Sequence, residues 1–170
     1  VCSSDLREKM TEQMWIEKLG LEAHPEGGYF KQTNKSEQLI PTKRGERALH
    51  TAILFLLNTE SPSHFHRLKA DELWFFHDGQ PLTVHCIFPD GTYQAVQLGK
   101  DLVQGQQLSF SVPAGTIFGS TVATGFALVS CVVTPGFEFE DFELFTQAEL
   151  LNDYPQHSEI IQHLAYRELP

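Results

Sequence analysis

The residues able to do chemistry concentrate in one stretch, Ser61 to Gly79, SPSHFHRLKADELWFFHDG. His64 and His66 stand one residue apart, Glu72 lies six positions after His66, and an aromatic run, Trp74-Phe75-Phe76, follows. Residues two apart on an extended segment share a face. Both imidazoles are therefore expected on one side of a strand, with Glu72 on the adjoining strand. Two imidazoles and a carboxylate converging on a point suit a divalent metal, Fe, Mn, Ni or Zn. The same groups can instead set a base and an acid around a small substrate. A second set stands at the mouth of an earlier strand, where His24-Pro25-Glu26-Gly27-Gly28-Tyr29 brings a carboxyl (Glu26) and a phenol (Tyr29) together at a turn.

The elements that must position these residues are mostly strands. Asp5 to Leu19 carries Leu6, Met10, Met14, Trp15 and Leu19 at helical spacing and stops at Gly20. Residues 34–47 are polar and basic and are expected as an exposed loop. His50 to Leu57 is apolar and β-branched, the signature of a buried strand. Asp71–His77 and Leu82–Phe88 flank Asp78-Gly79-Gln80-Pro81, a hairpin signal. A two-residue hairpin loop would set His85 on the face of Glu72 and Trp74, whereas a three-residue loop would turn it outward. Further strands are expected at Thr92–Gln97, Gln106–Val112, Thr116–Ser120, Gly125–Thr134 and Phe137–Phe142. Helices capped by Thr146 and Ser158 close the chain. About ten short strands without helical crossovers indicate an antiparallel sandwich or barrel.

Composition narrows the function classes. At 170 residues the chain is expected to form a single domain, with a helix over about 5–19, a barrel over about 27–144 and helices over about 146–166. The net charge of −10 argues against nucleic acid, whose phosphates need a basic surface. No apolar run is long enough for a membrane span, and the first residues have no secretory leader pattern. Three cysteines, Cys2, Cys86 and Cys131, lack metal-type spacing; Cys86 and Cys131 sit in apolar strand patterns and are expected as buried small hydrophobes. A reducing, cytoplasmic setting is the expectation.

The motifs resemble those of the cupins, an all-β family built on a double-stranded β-helix, the jelly-roll barrel. The first cupin motif is matched by His64-Phe65-His66, Glu72 and Gly79, with a gap before Glu72 longer than usual. The second is matched by Pro113-Ala114-Gly115 and then departs, because Phe118 stands where its metal-ligating His would be. More closely, the chain resembles the cupin 5 group, a domain of unknown function. The resemblance runs through His24-Pro25-Glu26-Gly27-Gly28-Tyr29, Ser63 to Arg67, Asp71 to Trp74, Val112 to Gly115, Val133 to Phe137 and Asp141 to Leu144.

It implies a cupin barrel with short N- and C-terminal helices, paired as a homodimer, holding a small-molecule ligand and involving neither nucleic acid nor membrane. One expected activity is a metal-independent epimerase or isomerase acting on a carbohydrate-like carbonyl compound. Its base would be His64, His66 or His85, its acid Tyr29, and its orienting carboxylate Glu26 or Glu72. The candidate ligand contacts are Trp74, Phe118, Arg67, Arg47 and Thr51, with Lys35 as a further cation for a phosphate or carboxylate. The alternatives are a metal-dependent enzyme using His64, His66 and Glu72, and a non-catalytic binding protein.

Overall fold

The computed structural model describes residues 9–170. Helix α1 (Glu12–Leu19) leads into strands β1 (Glu22–Ala23), β2 (Tyr29–Lys35), β3 (Leu39–Thr42), β4 (Gly45–Ala48) and β5 (Thr51–Asn58). Then follow β6 (Ser63–Arg67), β7 (Asp71–Gly79), β8 (Leu82–Ile87), β9 (Tyr93–Leu98), β10 (Ser109–Val112), β11 (Ile117–Val122), β12 (Phe126–Thr134) and β13 (Glu143–Leu144). Helices α2 (Gln147–Asp153) and α3 (Ser158–Leu164) come last. A six-stranded sheet, β1-β2-β5-β12-β7-β10, faces a five-stranded sheet, β13-β6-β11-β8-β9, and every pairing within them is antiparallel. This is the jelly roll expected from the sequence.

Strand alternation divides the apolar residues among three clusters. In β5, Phe55 and Leu57 enter the barrel, while Leu56 points outward beneath Trp15, Ile16 and Leu19 of α1. Both faces are covered, which is why β5 is apolar throughout instead of alternating. On the five-stranded sheet, Phe65, Ile87 and Ile117 point outward beneath Leu150, Ile161 and Leu164 of α2 and α3. The interior between the sheets holds Trp74, Phe76, Val84, Phe118 and Val129.

Several expectations change. The first helix begins at Glu12, not near Asp5, because the Thr11 side chain accepts the Met14 N–H and fixes the start there; Leu6 lies outside the described residues. Residues 34–47 are not a plain loop, since β3 and β4 pair as a hairpin. Phe137–Phe142 is not a strand; it becomes a loop with one 3-10 turn at Phe139–Asp141. The α3 helix starts at Ser158 without the side-chain cap expected there.

The most consequential change is at Gly79. β7 is paired on both edges, to β10 and β12, while β8 belongs to the other sheet. The Asp78-Gly79-Gln80-Pro81 turn is thus a corner between sheets, not a hairpin. Gly79 has φ +90 and sits so close to β12 that a Cβ would stand 2.2 Å from Phe126 O. Local turn chemistry resembles a hairpin here, and long-range pairing decides otherwise.

Candidate functional site

A turn and a bulge build the site. In the turn after β1, Gly27 N–H donates to His24 O (2.9 Å) and His24 N–H to Gly28 O (3.0 Å). Gly27 has φ +106, and a Cβ on it would stand 1.8 Å from Pro62 O, so only glycine lets the turn lie against β6. Docked there, Glu26 O accepts both the backbone N–H of His64 (2.6 Å) and its ring Nδ1–H (2.7 Å).

β6 carries the bulge. It pairs with β11 at His66↔Phe118 and at Ser63↔Ser120, so His64 and Phe65 together oppose Gly119 alone. A Cβ at Gly119 would approach Ser63 O to 2.6 Å. The extra residue breaks the His-x-His face. Ser63 and His66 both turn towards Glu26, Phe65 turns out beneath the helices, and His64 lies against Tyr166 with ring centroids 3.7 Å apart and planes 15° from parallel. The Tyr166 hydroxyl donates to Pro25 O (3.1 Å), which ties the C-terminal segment to the same turn.

Within the barrel mouth is a cavity of about 100 Å³. Its polar wall is His24, Glu26, His66 and Glu72, with Gln32 and Thr51; its roof is Phe137, Phe139 and Phe142. The roof is latched: Arg47, 4% exposed, grips Asp141 through Nε (2.8 Å) and Nη2 (3.1 Å), and Arg44 adds a bond of 3.1 Å. Thr51 Oγ1 accepts Phe137 N–H at 3.0 Å.

Hydrogen bonding sets the protonation of the wall. His66 Nδ1 lies 2.7 Å from His64 O, and a carbonyl can only accept, so Nδ1 carries the proton. Its Nε2 then faces Glu26 Oε2 at 3.2 Å, while Ser63 Oγ donates to Glu26 Oε1 at 2.9 Å. Burial pushes the Glu26 carboxyl up and lowers His66 to about 4, which leaves an uncharged pair with the shared proton on the carboxyl side. His24 Nδ1 accepts the Glu26 N–H at 3.1 Å, so its Nε2 is the N–H donor; burial lowers this imidazole as well.

Glu72 is raised to about 8, first by burial and then by the nearby Glu26; the indole of Trp74 offsets this slightly. Neither Glu72 Oε2 nor Trp74 Nε1 closes a hydrogen bond. A buried acid oxygen without a protein partner is an unsatisfied demand on the cavity wall.

The sequence candidates are redistributed. Glu26, His66, Glu72 and Thr51 line the cavity. Trp74 and Phe118 enter the barrel but pack beneath it, edge to face at 6.3 Å, Phe118 under the His66 ring. Tyr29 points outward under α1 and cannot serve as the acid. His85 faces the opposite side of the five-stranded sheet, between Tyr93 OH (2.6 Å) and Thr121 Oγ1 (2.8 Å), because β8 changes sheets at Gly79. Arg47 is the latch of the roof; Arg67 bonds Glu143 at 2.8 Å, and Lys35 reaches Glu138 at 3.3 Å, so none of the three faces the cavity. His24 and the Phe roof were missed. The former was legible only as part of the His-Pro-Glu-Gly-Gly motif, whose first residue pairs its ring with the motif's own backbone.

Cupin barrels commonly carry a metal, so the donors must be tested for fit. His64 is held off the cavity by the bulge, both His66 nitrogens are engaged, and Phe118 occupies the inward position on β11. Among the described residues, no three His, Cys, Asp or Glu side chains converge to ligate an ion. The residues do not fit a metal centre.

Comparison with known proteins agrees with this architecture. The sequence matches the family described as Cupin_5, Cupin superfamily (DUF985), over residues 13–145. A hypothetical protein from Leishmania major superposes with a TM-score of 0.90 at 42% identity, covering 92% of this chain and 99% of that one. Protein SO0799 from Shewanella oneidensis gives 0.89 at 46% identity, covering 94% and 100%. An uncharacterised protein of Saccharomyces cerevisiae, YML079W, is 32% identical across 69% of this chain and 67% of its own.

Proposed function

The chain belongs to the cupin superfamily, in the Cupin_5 (DUF985) family, and from that premise we propose that it binds a small polar carbonyl compound under the Phe roof and moves a proton on it without a metal. The observation that carries the reading is Glu72: a buried carboxyl raised to about 8, with one oxygen unpartnered, beside neutral imidazoles in a largely apolar barrel mouth.

A general base works best when its pKa lies near the working pH. At neutral pH about a tenth of Glu72 is ionised, and that carboxylate sits desolvated and strongly basic. It takes the proton from the carbon next to the ligand's carbonyl. The C–H electron pair becomes the C=C bond of an enediol, and the carbonyl π pair moves to oxygen. His24 Nε2–H, a neutral donor fixed by its other nitrogen, stabilises that oxygen and can protonate it. A raised carboxyl opposite a neutral imidazole is an established division of labour for enolisation. Glu72 then gives the proton to the neighbouring carbon for isomerisation, while the hydroxyl on the first carbon returns its proton to the His24 imidazolate and becomes the new carbonyl. For epimerisation the Glu26–His66 pair is the second proton donor on the wall. The Phe roof shields these groups from part of the solvent that would otherwise level their pKa values.

The test uses untagged protein, dihydroxyacetone and glyceraldehyde in D₂O, with both interconversion and deuterium incorporation followed by proton NMR. Incorporation that rises from pH 6 to 8, as Glu72 ionises, and disappears in Glu72→Gln supports the reading. Incorporation unchanged in Glu72→Gln removes its base and overturns it.

A further inference from the structure

Resting on that reading, we propose that the ligand is an uncharged hydroxycarbonyl compound of a few carbons, and that phosphorylated or carboxylate-bearing relatives are excluded. The exclusion follows from what the cavity lacks and from what it holds. Among the described residues, no lysine or arginine lines it. The cations nearest its mouth are already matched: Arg47 and Arg44 to Asp141, Arg47 also to Glu140 at 3.1 Å, and Lys35 to Glu138. Their partners belong to the roof loop, so these cations brace the roof and are not free to receive a substrate anion.

The wall offers an anion no compensating charge. Glu26 and Glu72, each 7% exposed, are carboxyls that burial pushes towards the protonated form, and an anion beside them would meet no cation. Around them stand rings of Phe30, Phe137, Phe139 and Phe142, which cannot hydrate a charge. Moving an unpaired anion into such surroundings is strongly unfavourable. The net charge of −10 adds a repulsive field outside.

The same groups favour a neutral ligand rich in oxygen acceptors. His24 Nε2–H and the amide of Gln32 are donors on the wall, and Glu72 Oε2 is a buried polar atom without a partner, a place for one ligand hydroxyl or carbonyl. Size agrees: about 100 Å³ is well below the roughly 300–1,000 Å³ of sites that enclose drug-sized ligands, which suits a ligand of a few carbons.

The experiment titrates the untagged full chain with matched pairs: dihydroxyacetone against its monophosphate, and glyceraldehyde against glycerate, with binding read by saturation-transfer NMR. The neutral member of each pair is expected to bind, and the anion to bind more than about 100-fold more weakly. Gln32→Lys places a cation on an exposed rim position that should tolerate it, and should narrow that gap by about tenfold or more. A phosphate or carboxylate that binds wild-type protein as well as its neutral partner overturns the inference, as does failure of both neutral compounds to bind. Deuterium incorporation in the same samples separates the two ideas. Charge preference without exchange keeps this inference and sinks the proton-transfer reading; exchange with an anionic compound does the reverse.

Discussion

Glu72→Gln should stabilise the protein relative to the wild type by an amount that grows as the pH rises. The carboxyl titrates near 4.5 when free and at about 8 in the fold. Between those values the unfolded chain has lost this proton and the folded chain keeps it, so the folded state binds more protons and stability falls as pH increases. Each pH unit in that window is worth about 1.4 kcal/mol, so at pH 7 the burden reaches about 3 kcal/mol and levels off above pH 8. Glutamine has nearly the same shape and does not ionise. Any unpaired amide or packing change it introduces shifts every pH equally, and only the slope belongs to the ionisation.

Urea denaturation of both proteins at pH 5, 6, 7 and 8 measures the difference directly. Its pH-dependent part should grow by about 1.4 kcal/mol per unit, and in thermal melts by roughly 2–4 °C per kcal/mol for a chain of this size. A difference that stays flat from pH 5 to 8 would refute the claim that Glu72 is buried, protonated and unpaired.

Two other changes probe the turn and the roof around the cavity, and a third is a control outside it. Gly27→Ala forces a Cβ into Pro62 O at a positive φ; it should destabilise by more than about 2 kcal/mol and abolish ligand binding, checked by denaturation and NMR titration. Asp141→Asn loosens the carboxylate's bidentate hold on Arg47, so amides of Phe139 to Phe142 should exchange on the order of tenfold faster with solvent while the barrel strands keep their protection. His85→Ala removes an imidazole lowered to about 4 by burial and by His163, on the far side of the sheet; deuterium incorporation should be unchanged, and a loss would return His85 to the site.

The jelly roll was legible because strand period and turn chemistry are local. The continuous apolar run of β5, the alternation of β7 and the punctuation by Gly and Pro each name their own element. Of the residues the motifs singled out, Glu26, His66 and Glu72 line the cavity. What the sequence hid was pairing between distant segments. Two-residue alternation put His64 beside His66, but one extra residue opposite Gly119 re-aimed it, and nothing within His-Phe-His announces a bulge. Likewise Asp78-Gly79 has hairpin chemistry, and only the occupation of both β7 edges by β10 and β12 sends β8, with His85, to the other sheet. The basic residues misled for a similar reason. Arg47 is polar in a polar stretch, and its buried partner Asp141 lies 94 positions away.

The most direct test of the account is the metal dependence of proton exchange. Deuterium incorporation into dihydroxyacetone should be measured with protein dialysed against a chelator, and again after adding Fe, Mn, Ni or Zn. The account predicts the same rate in every sample, because the base is Glu72 and His66 is already held by Glu26 and by His64 O. A rate lost on chelation and restored by one of these ions would contradict it, and would mean that the turn at Glu26 opens to release His66 to a metal.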